Sequence, residues 1–174
     1  MRTIRSLLAA LALTFTVSPA FASPAEVARA MPQAQRVGQA PYRVLGFHVF
    51  DAELWAERAA FSWERPFAVS LTYQRSIPAR AIVNRTITEM TQRGAGTVQS
   101  LEPLRARLQN CFADVRPGDR ITGVSTGPNT ARFYYNGARR CEVEWTGFRR
   151  DFFGIWLDAR GSQRALSAQL RGEA

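Results

Sequence analysis

The chain has 174 residues, is 46% hydrophobic, 21% charged and 11% aromatic, and carries a formal charge of +9. That is enough apolar material for one buried core, and plentiful aromatics without a strict repeat exclude a disordered chain, a collagen or a coiled coil. All 23 basic residues are arginines, so ordinary deprotonation cannot lower the charge.

The first 22 residues have the layout of an export signal: Arg2 and Arg5, then an apolar run from Leu7 to Val17, then the small-x-small site Ala20-Phe21-Ala22. The run is too short to span a membrane, and no later run approaches the length a span needs. Cleavage after Ala22 is predicted, leaving a single domain over 23–174 in a bacterial periplasm, with no transmembrane segment. Two arginines and no acid leave with the signal, which lowers the charge from +9 to +7. The remaining arginines are scattered singly, with no basic run and no aromatic platform, so nucleic acid is not a predicted partner. A mild attraction for anionic lipid or acidic ligands is compatible with the charge.

The elements follow from periodicity. Pro24 to Met31 suggests a short helix, followed by a polar link to residue 36. Tyr42 to Trp55 is apolar on both faces, which suits one long central strand or two strands joined near Gly46. Glu57 to Glu64 reads as a connection. Phe67, Val69, Leu71 and Tyr73 alternate with Ala68, Ser70, Thr72 and Gln74, as in a half-buried strand. Pro78 then opens a helix that brings Ala79, Ile82, Val83, Thr86, Ile87 and Met90 to one face, with Arg85 and Glu89 spaced as a surface pair. Gly94 stops it. Ser100 is placed to cap a second helix, with Leu101, Leu104, Leu108 and Phe112 inward. Arg116 to Asp119 is a turn.

Strands return at Arg120–Ser125, Ala131–Tyr135 and Cys141–Trp145. The last two are joined by Asn136-Gly137, a strong hairpin signal because both residues tolerate positive φ. Thr146 is placed to cap a helix carrying Phe148, Phe152, Ile155 and Trp156 inward. Gly161 ends that helix, and a last helix covers Ser162 to Leu170. Strand runs alternating with helix pairs indicate an α+β fold: an open-faced sandwich of one large antiparallel sheet with helices on one face.

Chemical signatures are sparse. Cys111 and Cys141 make an even pair in an oxidising compartment, so either a disulfide or two buried thiols is consistent, and the bridge is favoured. His48 is the one histidine, and no CxxC, HExxH, GxSxG, phosphate loop or dinucleotide fingerprint is present. No metal or cofactor is expected. The carboxylate pairs Asp51/Glu53 and Glu142/Glu144 are spaced along strands, either as a glycosidase-like pair or as a solvated edge. Arg43 and Arg75 align with apolar strand faces, where a guanidinium either snorkels to water or holds an anion at an apolar cleft. Asp51 is a candidate partner for Arg43, His48 is placed on the Val44/Phe50 side, and Tyr73 offers a hydroxyl handle.

Four segments resemble the bacterial chalcone isomerase-like family. They are residues 43–55 (RVLGFHVFDAELW), 118–124 (GDRITGV), 131–137 (ARFYYNG) and 152–158 (FFGIWLD), in the family's order. The resemblance implies the same open-faced sandwich. In plant relatives it implies an isomerase (intramolecular lyase) that closes a phenolate onto an enone, using an arginine, a threonine, a tyrosine and an asparagine. On that pattern the threonine position falls at Leu45, the arginine near Ala40, the tyrosine near Pro78, and the asparagine within one residue of Asn84. Other relatives bind fatty acids without catalysis, through an arginine and a tyrosine on the carboxylate. The predicted function is accordingly a binder or carrier of a small apolar anionic molecule such as a fatty acid. Arg43, Tyr73, Arg75 and Asn84 are the candidate ligand contacts. An isomerase and an envelope scaffold are the alternatives, with no protein partner specified.

Overall fold

The computed structural model describes residues 23–160 and 163–173. The predicted export signal, and the expected Gly161 stop with the start of the last helix at Ser162, lie outside the described residues.

Six strands form one sheet in sequence order, each antiparallel to the next. They are β1 (Ala34–Val44), β2 (Phe47–Glu57), β3 (Phe67–Tyr73), β4 (Arg120–Ser125), β5 (Thr130–Tyr135) and β6 (Ala138–Glu144). The described helices are α1 (Ala25–Ala30), α2 (Ala79–Gln92), α3 (Glu102–Cys111), α4 (Phe148–Leu157) and α5 (Arg164–Leu170). This is the open-faced α+β sandwich expected from the pattern.

The front face of the sheet packs Phe50, Leu54, Phe67, Leu71, Ile121 and Phe133 against the inward residues of α2 to α5. Burying each such side chain contributes about 1.5–3 kcal/mol. One end of this core is almost wholly aromatic. Phe67, Phe112, Phe133, Phe148, Phe152 and Phe153 meet mostly edge to face, the arrangement that ring quadrupoles favour. Gly123 lies under them, because a Cβ there would approach Phe133 to 3.1 Å and Phe153 to 3.2 Å.

The back face is not bare. α1 lays Val27 and Met31 on Trp55, Ala68, Val124 and Tyr134, so β3 is buried on both faces, not half-buried as its alternation suggests. Glu26 of α1 is fully buried. It accepts hydrogen bonds from Arg120 Nη2 (3.0 Å to Oε1 and 3.2 Å to Oε2) and from Thr122 Oγ1 (2.8 Å). The hydroxyls of Thr122 and Ser70 are 3.1 Å apart, which extends the polar cluster into β3.

Other local expectations were settled, some as expected and some corrected. Tyr42 to Trp55 is two strands, and β1 begins at Ala34, inside what reads as a polar link. Ser100 does not cap α3: its Oγ accepts from the Thr97 N–H at 2.9 Å and donates to the Thr97 carbonyl at 3.0 Å, closing the preceding turn. Thr146 does not cap α4, whose N-cap is Gly147 at φ +75°. The last helix starts at Arg164. Cys111 and Cys141 form a disulfide that ties the end of α3 to β6 across a sequence separation of 30.

Candidate functional site

A cavity of 380 Å³ opens between the sheet and the helix layer. That volume falls in the range of small-molecule sites. β1 and β2 contribute Tyr42, Val44, Val49 and Phe50, and β3 contributes Leu71 and Tyr73. α2 supplies Ile82, Arg85, Thr86 and Glu89, while α4 and the segment before α5 supply Ile155, Trp156 and Gln163. A narrow extension of 30 Å³ runs from Leu71, Tyr73, Ile82 and Trp156 toward Phe112, Phe133 and Phe153, where the aromatic cluster closes it.

Two local features shape the cavity. The first is an irregularity in the β1–β2 register between Tyr42 and Arg43. Tyr42 pairs with Phe50 and Arg43 with His48, leaving Val49 as an extra residue on β2. Such a bulge breaks strict alternation, so Val49 and Phe50, neighbours in sequence, both line the cavity. The second is the helix stripe Ile82, Arg85, Thr86 and Glu89, at i, i+3, i+4 and i+7. It is rotated from the core stripe of Val83, Ile87 and Met90, and it therefore carries polar groups into an apolar slot.

The polar inventory is small. Tyr73 is 3% exposed and stacks edge-on to Phe50 with ring centroids 5.8 Å apart. Its hydroxyl has no hydrogen-bond partner among the described residues. Desolvation by burial holds the phenol well above its ordinary titration range, so it stays a neutral donor. At the rim, Arg85 is ion-paired with Glu89 one turn on. Gln163 Nε2 donates to the Tyr42 hydroxyl at 3.2 Å. Thr86 Oγ1 donates to the Ile82 carbonyl at 2.9 Å, leaving its lone pairs for a further donor.

Of the four residues singled out in the sequence, Tyr73 alone lines this cavity. Arg43 is exposed and pairs with His48. Ordinary alternation along β1 sets Arg43 on the sheet face opposite Tyr42 and Val44. The bulge brings His48 to that face, away from the Val44/Phe50 side expected for it, while Phe47 and Val49, expected on Arg43's face, do not share it. Asp51 is not Arg43's partner: it accepts from Gln74 Nε2 at 2.8 Å and bonds His48 Nε2 at 2.9 Å. Arg75 lies over the Phe47 ring at 4.6 Å and donates to the His48 carbonyl at 3.2 Å. Asn84 is on the exposed side of α2, where its Oδ1 accepts from Arg105. One further carboxylate of each candidate pair is engaged elsewhere: Glu53 with Arg36 at 3.0 Å, and Glu142 with Arg132 at 2.6 Å.

Sequence reading missed Arg85 as a cavity residue because its spacing to Glu89 fits a solvated pair equally well. The i, i+3, i+4, i+7 run through Ile82 and Thr86 is the signal that could have placed it. Tyr42 and Gln163 are 121 residues apart, and no local pattern joins them. Among the described residues, no three His, Cys, Asp or Glu side chains cluster to hold a metal ion.

An antiparallel sheet roofed by helices over an apolar slot is an open-faced α+β sandwich with a cavity between its layers. The comparisons narrow it further. Residues 55–172 match a family described as chalcone isomerase-like, and the chain belongs to that family. The match starts at Trp55, the last residue of the first resembling segment. No curated protein sequence matches the chain. Among solved structures, it is similar to the crystal structure of the Arabidopsis thaliana fatty-acid binding protein AtFAP1, with a TM-score of 0.64 at 8% identity. The alignment covers 80% of this chain and 87% of that one. At so low an identity the likeness is one of fold.

Proposed function

We propose that the protein is a periplasmic, non-catalytic binder or carrier of a small apolar anionic molecule such as a fatty acid. The observation that carries this reading is the cavity itself. It is apolar along its walls, ends in an aromatic floor, and is lined by the hydroxyl of Tyr73, which has no partner among the described residues. A hydrocarbon tail displaces water from the walls, at about 0.8 kcal/mol per buried methylene. A carboxylate accepts from the Tyr73 hydroxyl, and Arg85, whose guanidinium has five donors, retains some beyond those engaged by Glu89. The fatty-acid binding protein that shares the fold is consistent with such an occupant.

An isomerase needs several donors converging on the oxygens of one substrate. Of the polar residues aligned or offered for that role, Asn84 and Arg43 lie outside the cavity lining, which favours binding over catalysis. Delipidated protein titrated with palmitate and examined by native mass spectrometry should show a one-to-one adduct. Ile82→Trp, which fills the slot, should abolish it. A protein that takes up no long-chain acid, or a fast fall in chalcone absorbance on mixing, overturns the proposal.

A further inference from the structure

The β1–β2 hairpin ends in the turn Leu45-Gly46, with φ of +48° and +81°. The β5–β6 hairpin ends in Asn136-Gly137, with φ of +48° and +84°. The backbone is the same, but the residues are not. Asn is among the few side chains that tolerate the left-handed region, whereas leucine is strained there. Leu45 is also 92% exposed. Its neighbours Phe47 and Val44 are 57% and 44% exposed, and with Val98 these complete the large exposed hydrophobics of the described residues. Three of the four sit on one hairpin tip, and Leu45, almost wholly exposed, adds little to the core.

Charge at the tip has one sign. Arg43 and Arg75 flank it, and neither has a carboxylate partner among the described residues. Arg75 is spread over the Phe47 ring at 4.6 Å. Asp51, on the same hairpin, is engaged by His48 and Gln74. An apolar tip with an arginine collar matches the interface of an anionic bilayer, where hydrocarbon meets negative headgroups. The charge of +7 on the mature chain adds long-range attraction. Val44 belongs both to the tip and to the cavity lining, so a molecule leaving the bilayer at this point meets the cavity mouth.

We infer that the Val44–Phe47 hairpin tip, collared by Arg43 and Arg75, docks the protein on anionic phospholipid membranes with the cavity mouth facing the lipid. This rests on the cavity reading only for what is exchanged there; docking and ligand uptake are measured separately.

The test is flotation of the full mature chain with vesicles of phosphatidylglycerol and phosphatidylcholine in equal parts, and with pure phosphatidylcholine. Wild type should float with the mixed vesicles and stay below with the neutral ones. Leu45→Asn restores the favoured turn residue, so its melting temperature should hold or rise while its partitioning falls about tenfold from the lost apolar contact. A double Arg43→Gln/Arg75→Gln variant should lose the preference for anionic lipid. Both variants should still bind palmitate like wild type. Absence of wild-type flotation, or equal flotation of Leu45→Asn, overturns the inference. So does concentration-dependent dimerisation that Leu45→Asn abolishes without any vesicle binding, since the tip would then be covered by a second copy.

Discussion

Replacing Tyr73 by phenylalanine separates ligand recognition from folding. The side chain is 3% exposed, and its ring contact with Phe50 survives the change. The hydroxyl has no partner among the described residues, so its removal leaves no donor or acceptor stranded. Stability should then stay within about 0.5 kcal/mol of wild type. Binding behaves differently. Burial keeps the phenol protonated, and a neutral donor to a carboxylate contributes about 1.5–3 kcal/mol. Its loss should weaken affinity for a long-chain acid roughly ten- to a hundredfold. The assay is displacement of a fluorescent fatty acid from delipidated protein, run beside urea unfolding of both proteins. A long-chain methyl ester, without the charge, should lose less. Unchanged affinity for the acid would refute the assignment of Tyr73, and a large drop in stability would refute the claim that its hydroxyl is unpartnered.

Glu26→Ala leaves the partly buried Arg120 without its counter-ion and loosens α1 from the back face; urea unfolding should show a loss of about 3–5 kcal/mol. Gly38→Ala should destabilise by about 1–3 kcal/mol, because its Cβ would fall 2.2 Å from the Gln169 carbonyl oxygen and 2.6 Å from that of Leu170; a melting temperature equal to wild type would contradict this packing. Reducing Cys111–Cys141, which closes a loop of separation 30, should cost about 3.5 kcal/mol on chain entropy, read as a lower urea midpoint in dithiothreitol. Asp119 accepts from Asn136 Nδ2, the Tyr135 hydroxyl and the Arg116 N–H, and these hydrogen bonds hold its carboxyl below the usual carboxylate range. A lowered folded-state value gives stability that is present above the unfolded value of about 3.9 and is lost as pH falls through the folded one. Asp119→Asn should therefore flatten the acid limb of the stability–pH curve, and an unaltered limb would count against the linkage.

The amino-acid sequence by itself determined whatever depends on near neighbours along the chain. Period-2 and period-3.6 patterns placed β3, α2 and the β5–β6 hairpin, because side-chain direction there is set by backbone geometry alone. The α+β order was legible for the same reason, the Cys111–Cys141 bridge was favoured over two thiols only by an even count in an oxidising compartment, and the four family-like segments pointed to the family. Tertiary structure decided the rest. α1 covers the back face because Glu26 finds Arg120 and Thr122 across 94 and 96 residues. Arg43 faces away from the cavity by ordinary alternation with Tyr42 and Val44, while the extra residue on β2 brought Val49 to the cavity face and took His48 off it. Arg85 lines the cavity and Asn84 does not, because the side of α2 that carries Ile82, Arg85, Thr86 and Glu89 is the one packed over the slot. Local pattern says which way a residue points relative to its own element; only packing says what stands opposite.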